Sequence, residues 1–181
     1  MEKPPHVVAL RPADVPRYRE LMLHAYASAP DAFTSTAQER AAEPESWWLR
    51  RVADPSGQSL AFGAFHEGRL VGTVTIEFSS KPKTRHKAQL IGMFVHESCR
   101  GLGAGAELVR AAFAEASARP EVRVVTLTVT EGNEPAIALY ERCGFRRFGT
   151  EPMAIATGEG VYKAKIHMWV PLEAPSAEEP R

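Results

Sequence analysis

The stretch Cys99–Gly105, CRGLGAG, sets an arginine and three alternating glycines between an apolar run and an amphipathic one. Glycine inside regular structure costs about 0.5–1 kcal/mol relative to alanine, so a cluster marks backbone that turns sharply or approaches something closely. A helical pattern starts directly afterwards, and the free N–H groups and positive dipole end of a helix N-terminus attract anions. The successive backbone N–H groups of Gly101, Leu102, Gly103, Ala104, Gly105 and Ala106 can therefore cradle a phosphate or pyrophosphate, with Arg100 either reaching it or bracing the loop. A P-loop is excluded, because no Gly-Lys-Ser/Thr follows. Gly101, Gly103 and Ala106 do fit G-x-G-x-x-G/A, but that fold runs its strand almost directly into the first glycine and ends its next strand on an acid. Here His96–Arg100 intervene, Glu121 precedes the next strand and Glu131 lies too far along. A turn that binds no ligand is the plain alternative.

Elements must hold this loop in place. His6–Leu10 reads as a first strand, and helical patterns follow over about Val15–Ala29 and Glu45–Val52. Two strands joined at Glu67-Gly68 come next, then the basic loop Lys81–Lys87 and a third apolar run, Ala88–Val95. Behind the glycines, Leu102, Ala106, Val109, Phe113 and Ala116 recur at helical spacing as a buried stripe. Val122–Val129 is β-branched and strand-like. Asn133 then suits a helix N-cap, Pro135 its first turn and Gly144 its end, and two more strands finish the domain. A meander followed by strand–helix–strand–helix–strand predicts an α/β fold, a mixed and mostly antiparallel sheet with helices packed on it.

Lysine plus arginine and aspartate plus glutamate both number 22, so net charge offers no reason to expect nucleic acid or an anionic membrane. A hydrophobic fraction of 44% and a charged fraction of 24% are those of an ordinary globular protein. No apolar run approaches a membrane span, and the N-terminus lacks the apolar centre of a signal peptide, so the cytoplasm is the expected compartment. Cys99 and Cys143 make no disulfide framework, and the six histidines show no metal-binding spacing. One domain is expected over residues 1–172, with a small, charged tail from Glu173 to Arg181.

Arg100, Gly103 and Gly105 match Q/R-x-x-G-x-G/A, which resembles the coenzyme A signature of the GNAT N-acetyltransferase superfamily. The run GMFVHESCRGLGAGAELVRAAFAEA is similar to that family's central strand, loop and helix. Downstream, VTEGNEPAIALYERCGF resembles its second block, N-x-x-A-x-x-L-Y-x-x-x-G-F, in the right order. The resemblance covers about Leu60–Phe148 and, more loosely, the whole chain. It implies that the anion is the pyrophosphate of acetyl-CoA and that backbone of Met93, Phe94 and Val95 bonds the pantetheine amides as an added strand would.

The implied chemistry is direct transfer of acetyl to a primary amine, which needs a neutral amine, a positioned thioester and a proton for the leaving thiolate. The resemblance makes Tyr140 the general acid and Asn133 a coenzyme contact; helical spacing puts both on one face with Ile137. Many members carry a glutamate on the central strand where this chain has Gln89, which cannot take a proton. Glu77, across an antiparallel pair from it, is the candidate substitute base, with a solvated carboxylate as the alternative, and His96 and Glu131 stand behind it. Trp47, Trp48 and Phe33 fall where related enzymes close over the acceptor, and Lys81–Lys87 could meet the adenosine 3′-phosphate. The expected acceptor is a small-molecule amine. A protein α-amine or lysine is the alternative, and a coenzyme A-binding sensor without turnover is the rival of another class. Relatives of this kind commonly form homodimers.

Overall fold

The computed structural model describes residues 4–173; the end of the expected tail, residues 174–181, lies outside them. Seven strands form one sheet in the order β1-β2-β3-β4-β5-β7-β6. These are β1 (His6–Ala9), β2 (Ser59–His66), β3 (Arg69–Phe78), β4 (Lys87–Val95), β5 (Val124–Thr130), β6 (Arg146–Gly158) and β7 (Val161–Pro171). Every neighbouring pair is antiparallel except β4 and β5. The mixed, mostly antiparallel sheet expected from the sequence is the sheet observed.

Five helices cover it: α1 (Val15–Ser28), α2 (Ala37–Ala41), α3 (Glu45–Ala53), α4 (Ala104–Ser117) and α5 (Glu134–Arg142). Alternation along the strands sorts the core into two clusters. Phe62, Val74, Ile76 and Val125 join Leu108, Val109 and Ala112 of α4 with Ile137 and Tyr140 of α5. Ala61 and Phe94 join Tyr18, Met22 and Ala25 of α1 and Trp48 and Val52 of α3. The stripe of α4 is rotated from the spacing read in the sequence. Leu102 precedes the helix, and Ala104, Leu108, Val109, Ala112 and Ala116 are buried while Ala106 and Phe113 are only partly so. The helix starts later than its apolar pattern because Gly103, at φ 82°, caps it.

Helix α2 leaves no periodic signal in the sequence, being five residues long, although Thr36 and Glu39 form a capping box. The Thr36 Oγ1 accepts from the Glu39 N–H at 3.1 Å, and the Glu39 carboxylate accepts from the Thr36 N–H at 2.7 Å. Among the described residues no helix is long and apolar enough to cross a membrane.

Candidate active site

One local event opens the site. Strands β4 and β5 pair in parallel only at Lys87–Val124, Ala88–Val125 and Gln89–Thr126, and then separate. On its other edge β4 keeps pairing with β3, but its register shifts between Thr73 and Thr75, opposite Phe94 and Ile91. Gly92 sits within that bulge at φ 59°, a left-handed backbone that favours glycine. The bulge bends β4, and the edge that should face β5 is left beside a cavity of about 960 Å³.

Ile91, Gly92, Met93, Phe94 and Val95 form one wall of that cavity, and Thr128, Val129 and Thr130 face them from β5. Past Gln89 the β5-facing amides of β4 have no strand beside them among the described residues, so an extended ligand can add as one.

The glycine loop closes one end. Arg100, Gly101, Gly103, Ala104, Gly105 and Ala106 line the cavity, whereas Leu102 does not. Gly101 and Gly103 stand at φ 80° and 82°, and a Cβ on either would meet nothing within 4 Å. Conformation, not crowding, requires glycine there, and the space in front of the backbone stays open. The first backbone bond of α4 runs from the Glu107 N–H to the Gly103 carbonyl, leaving the N–H groups of Ala104, Gly105 and Ala106 for an anion. These residues fit a pyrophosphate. Gly105 also sets the helix packing. A Cβ there would lie 2.8 Å from Leu139 Cδ2, so its smallness lets α4 approach α5. Arg100 donates from Nε to the Val95 carbonyl at 3.3 Å, tying the loop to the end of β4.

Asn133 and Tyr140 line the cavity from α5. Asn133 caps the helix, its side-chain oxygen accepting from the Ala136 N–H at 3.4 Å, and it does so while facing the cavity. Tyr140 is 6% exposed, and its ring meets Phe145 edge-on at 5.8 Å. Burial, reinforced by nearby Cys143, pushes its phenol well above the usual range. It stays protonated at any working pH.

Glu77 stands where strand pairing was expected to put it. It does lie across from Gln89 in the β3–β4 register, but neither residue lines the cavity. Its carboxylate sits 3.6 Å from Nη1 of Arg51, which does line the cavity, and is 41% exposed. Strand pairing sets the two residues side by side on the face that carries Ile91 and Thr75, two positions further along, where Ile91 lines the cavity. His96 is also outside the lining: it stacks on His24 with ring centroids 4.8 Å apart and bonds Ser98. Glu97 accepts from His24 at 3.1 Å, and its own backbone N–H together with His24 holds its carboxyl below the usual range. This cluster fastens the approach to the glycine loop onto α1, a contact that histidine spacing in the sequence does not reveal. Glu131, by contrast, does line the cavity. Phe33 lines it as well, Trp48 is core at 1% exposure, and Trp47 and the basic loop Lys81–Lys87 lie outside the lining. Cys99 is a buried free thiol at the cavity wall.

The sequence does not single out several lining cations: Arg40, Arg51, Arg142, Lys163 and Lys165. Lys163 Nζ donates to Asp31 Oδ2 at 2.9 Å, and the Thr130 hydroxyl donates to the Asp31 carbonyl at 2.6 Å, pinning the turn after α1 to β5 and β7. Lys165 is 7% exposed and donates to Thr130 Oγ1 at 2.9 Å; burial pulls its ammonium pKa down, partly opposed by Glu151. Lysines alternating along a strand read as a solvent face, so no local signal points inward.

This geometry agrees with what the chain resembles. The model of the Acetyltransferase (GNAT) family matches residues 20–145. The L-amino acid N-acetyltransferase AaaT of Escherichia coli is 27% identical over 164 residues, which cover 88% of this chain and 98% of that protein. The N-alpha-acetyltransferase MAK3 of Arabidopsis thaliana is 32% identical over 113 residues, 62% of this chain and 58% of that protein. A phosphinothricin acetyltransferase from Sinorhizobium meliloti, solved in complex with AcCoA, shares the fold at a TM-score of 0.80 and 18% identity, covering 99% of this chain and 94% of that one. A cavity opened by parting strands and closed by a glycine-capped helix, together with a family match over most of the chain, leads to one conclusion: the protein belongs to the acetyltransferase (GNAT) family.

Proposed function

We propose that this acetyltransferase moves acetyl from acetyl-CoA directly to the primary amine of a small molecule. The observation that carries the reading is the shape of the cavity. It joins the glycine loop to a recess lined by Tyr26, Phe33 and the Asp31 turn, which Thr130 and Lys163 hold against the sheet. A recess held in place in this way suits a compact acceptor. The alignment with a relative named for L-amino acids, over almost all of that relative, supports the same choice.

Acetyl-CoA supplies a thioester, whose carbonyl carbon is attacked by the amine nitrogen while the carbon–sulfur bond breaks. Backbone of Met93, Phe94 and Val95 orients the pantetheine as a neighbouring strand would, and the N–H groups of Ala104, Gly105 and Ala106 with Arg100 hold the pyrophosphate. Asn133 fixes the start of α5 and touches the coenzyme. Tyr140 donates a hydrogen bond to the departing sulfur. Its raised pKa makes complete transfer to a thiolate, ordinarily near 8.5, uphill, so the phenol stabilises the developing charge and water completes the protonation. Glu131 is the carboxylate on the cavity wall left to accept the amine proton, through water.

The reading extends to the cytoplasm as the compartment, where thiols such as Cys99 and Cys143 stay reduced. It also extends to a homodimer, for which exposed Phe148, Met153, Val161 and Tyr162 on the β6–β7 hairpin offer a face. Thiol release from acetyl-CoA, measured across free amines and peptides, is the test. Turnover on free amines supports the reading; turnover on peptides alone moves the acceptor to proteins. Coenzyme binding without turnover on either makes the protein a sensor.

A further inference from the structure

The acceptor end of the cavity carries charge that the coenzyme half does not use. Arg40 of α2 and Arg51 of α3 both line it, and their guanidinium groups pack on the Trp47 ring, 4.4 and 5.2 Å from its centroid. The Nε atoms of both are buried without a hydrogen-bond partner among the described residues. A guanidinium offers five N–H donors in a planar fork. The carboxylates nearest them each reach a single Nη nitrogen, Glu43 at 3.3 Å from Arg40 and Glu77 at 3.6 Å from Arg51, and neither carboxylate lines the cavity. Of the acids that do line it, Asp31 is engaged by Lys163. No carboxylate that lines the cavity is paired with either guanidinium, and a planar carboxylate is the partner that matches the fork.

Resting on the acetyltransferase reading above, we propose that the acceptor is a small amine that also bears a carboxylate, and that Arg40 and Arg51 bind this carboxylate. Tyr26 and Phe33, whose rings meet edge-on at 4.8 Å, line the same cavity as the pair. The arrangement also serves the amine. Arg40, Arg51, Lys163 and Lys165 outnumber Asp31 and Glu131 on the wall, and a surplus of positive charge disfavours an ammonium over the neutral nucleophile.

The test compares each standard amino acid with its own carboxamide, which keeps the amine's position and removes the negative charge, at an alkaline pH where both amines are neutral. The expected result is a kcat/KM for the best amino acid about 10- to 100-fold above that of its carboxamide, the range of a hydrogen bond to a charged group. Arg51→Gln and Arg40→Gln should each raise KM for the acid about 10-fold or more and narrow that preference, with Arg51→Lys restoring part of it. Calorimetric titration of the amino acid into enzyme saturated with coenzyme A should show the same loss of affinity without any turnover. The comparison on the unmodified protein decides the matter even where a variant does not fold. Carboxamides that react as well as acids, or reaction confined to diamines or peptides, would overturn the inference while leaving the transferase reading intact. Failure to bind acetyl-CoA at all would instead strike the transferase reading itself.

Discussion

Replacing Tyr140 by phenylalanine removes one oxygen from a residue that is 6% exposed and whose ring keeps its contact with Phe145. Folding should change by no more than about 1 kcal/mol, since packing is conserved, which in a domain of this size is a melting shift within about 4 °C. Acetyl-CoA affinity should stay close to wild type, because Tyr140 is assigned to the leaving sulfur and not to the phosphates. The rate should fall. A hydrogen bond to a charged group contributes about 1.5–3 kcal/mol, so kcat should drop roughly 10- to 150-fold. Burial adds a signature in pH. With its phenol pushed well above the ordinary 10, Tyr140 remains a donor throughout the working range, so wild-type kcat should show no alkaline decline belonging to this group. The assay is single-turnover thiol release from pre-bound acetyl-CoA, which isolates chemistry from product departure. Unchanged single-turnover rates in Tyr140→Phe would remove it from the mechanism. A mildly alkaline decline in wild type that vanishes in the variant would refute the raised phenol.

Further expectations rest on separate contacts. Gly103→Ala forces alanine to φ 82°, costing about 1–2 kcal/mol and roughly 2–8 °C in melting temperature, and it should also shrink the stabilisation given by coenzyme A. Gly160→Ala, at φ 69° in the β6–β7 turn, should cost a similar amount and leave that stabilisation whole; equal loss in both would deny the loop a binding role. Lys165→Met should alter how stability responds to pH. Because the folded-state pKa of Lys165 lies below the ordinary 10.5, the folded protein sheds that proton first, and wild type should gain stability relative to the variant as pH rises through that interval. Denaturant titrations of both proteins at neutral and alkaline pH read this directly, and parallel curves would contradict it. Glu77→Gln should keep a wild-type pH profile for kcat, since the carboxylate lies outside the cavity; a rate deficit at neutral pH that recovers at high pH would return Glu77 to the role of base.

Much of the scaffold is written in local patterns. Glu67-Gly68 turns a hairpin because both residues take positive φ, at 49° and 77°. Asn133 and Gly144 bracket α5 because a side-chain oxygen satisfies a free N–H at one end and a left-handed residue, at φ 94°, ends the other. The glycine loop is legible for the same reason, since Gly101 and Gly103 permit the left-handed backbone, at φ 80° and 82°, that the turn into α4 requires. Reading α4 two residues early has a local cause too: Leu102 continues the apolar spacing, but only the tertiary structure reveals that Gly103 caps the helix behind it.

The residues at the acceptor end are legible in no such way. Arg40 rides on α2, five residues long, and Arg51 on the far turn of α3; each looks like a solvated cation until both pack on Trp47 beside the cavity. Lys165 turns inward only because β7 lies between β5 and β6, and His24 meets Glu97 across 73 residues of chain. Glu77 shows the converse. Its pairing with Gln89 follows from strand register, but where the sheet opens is set by the bulge at Gly92 and by β5 parting from β4 after Gln89. Sequence alone therefore determined most of the elements, the glycine loop and the family resemblance, each specified by hydrogen bonds and backbone angles within a few residues. Tertiary structure alone decided which charged side chains line the cavity, because that depends on how distant elements stack and on where one strand pairing ends.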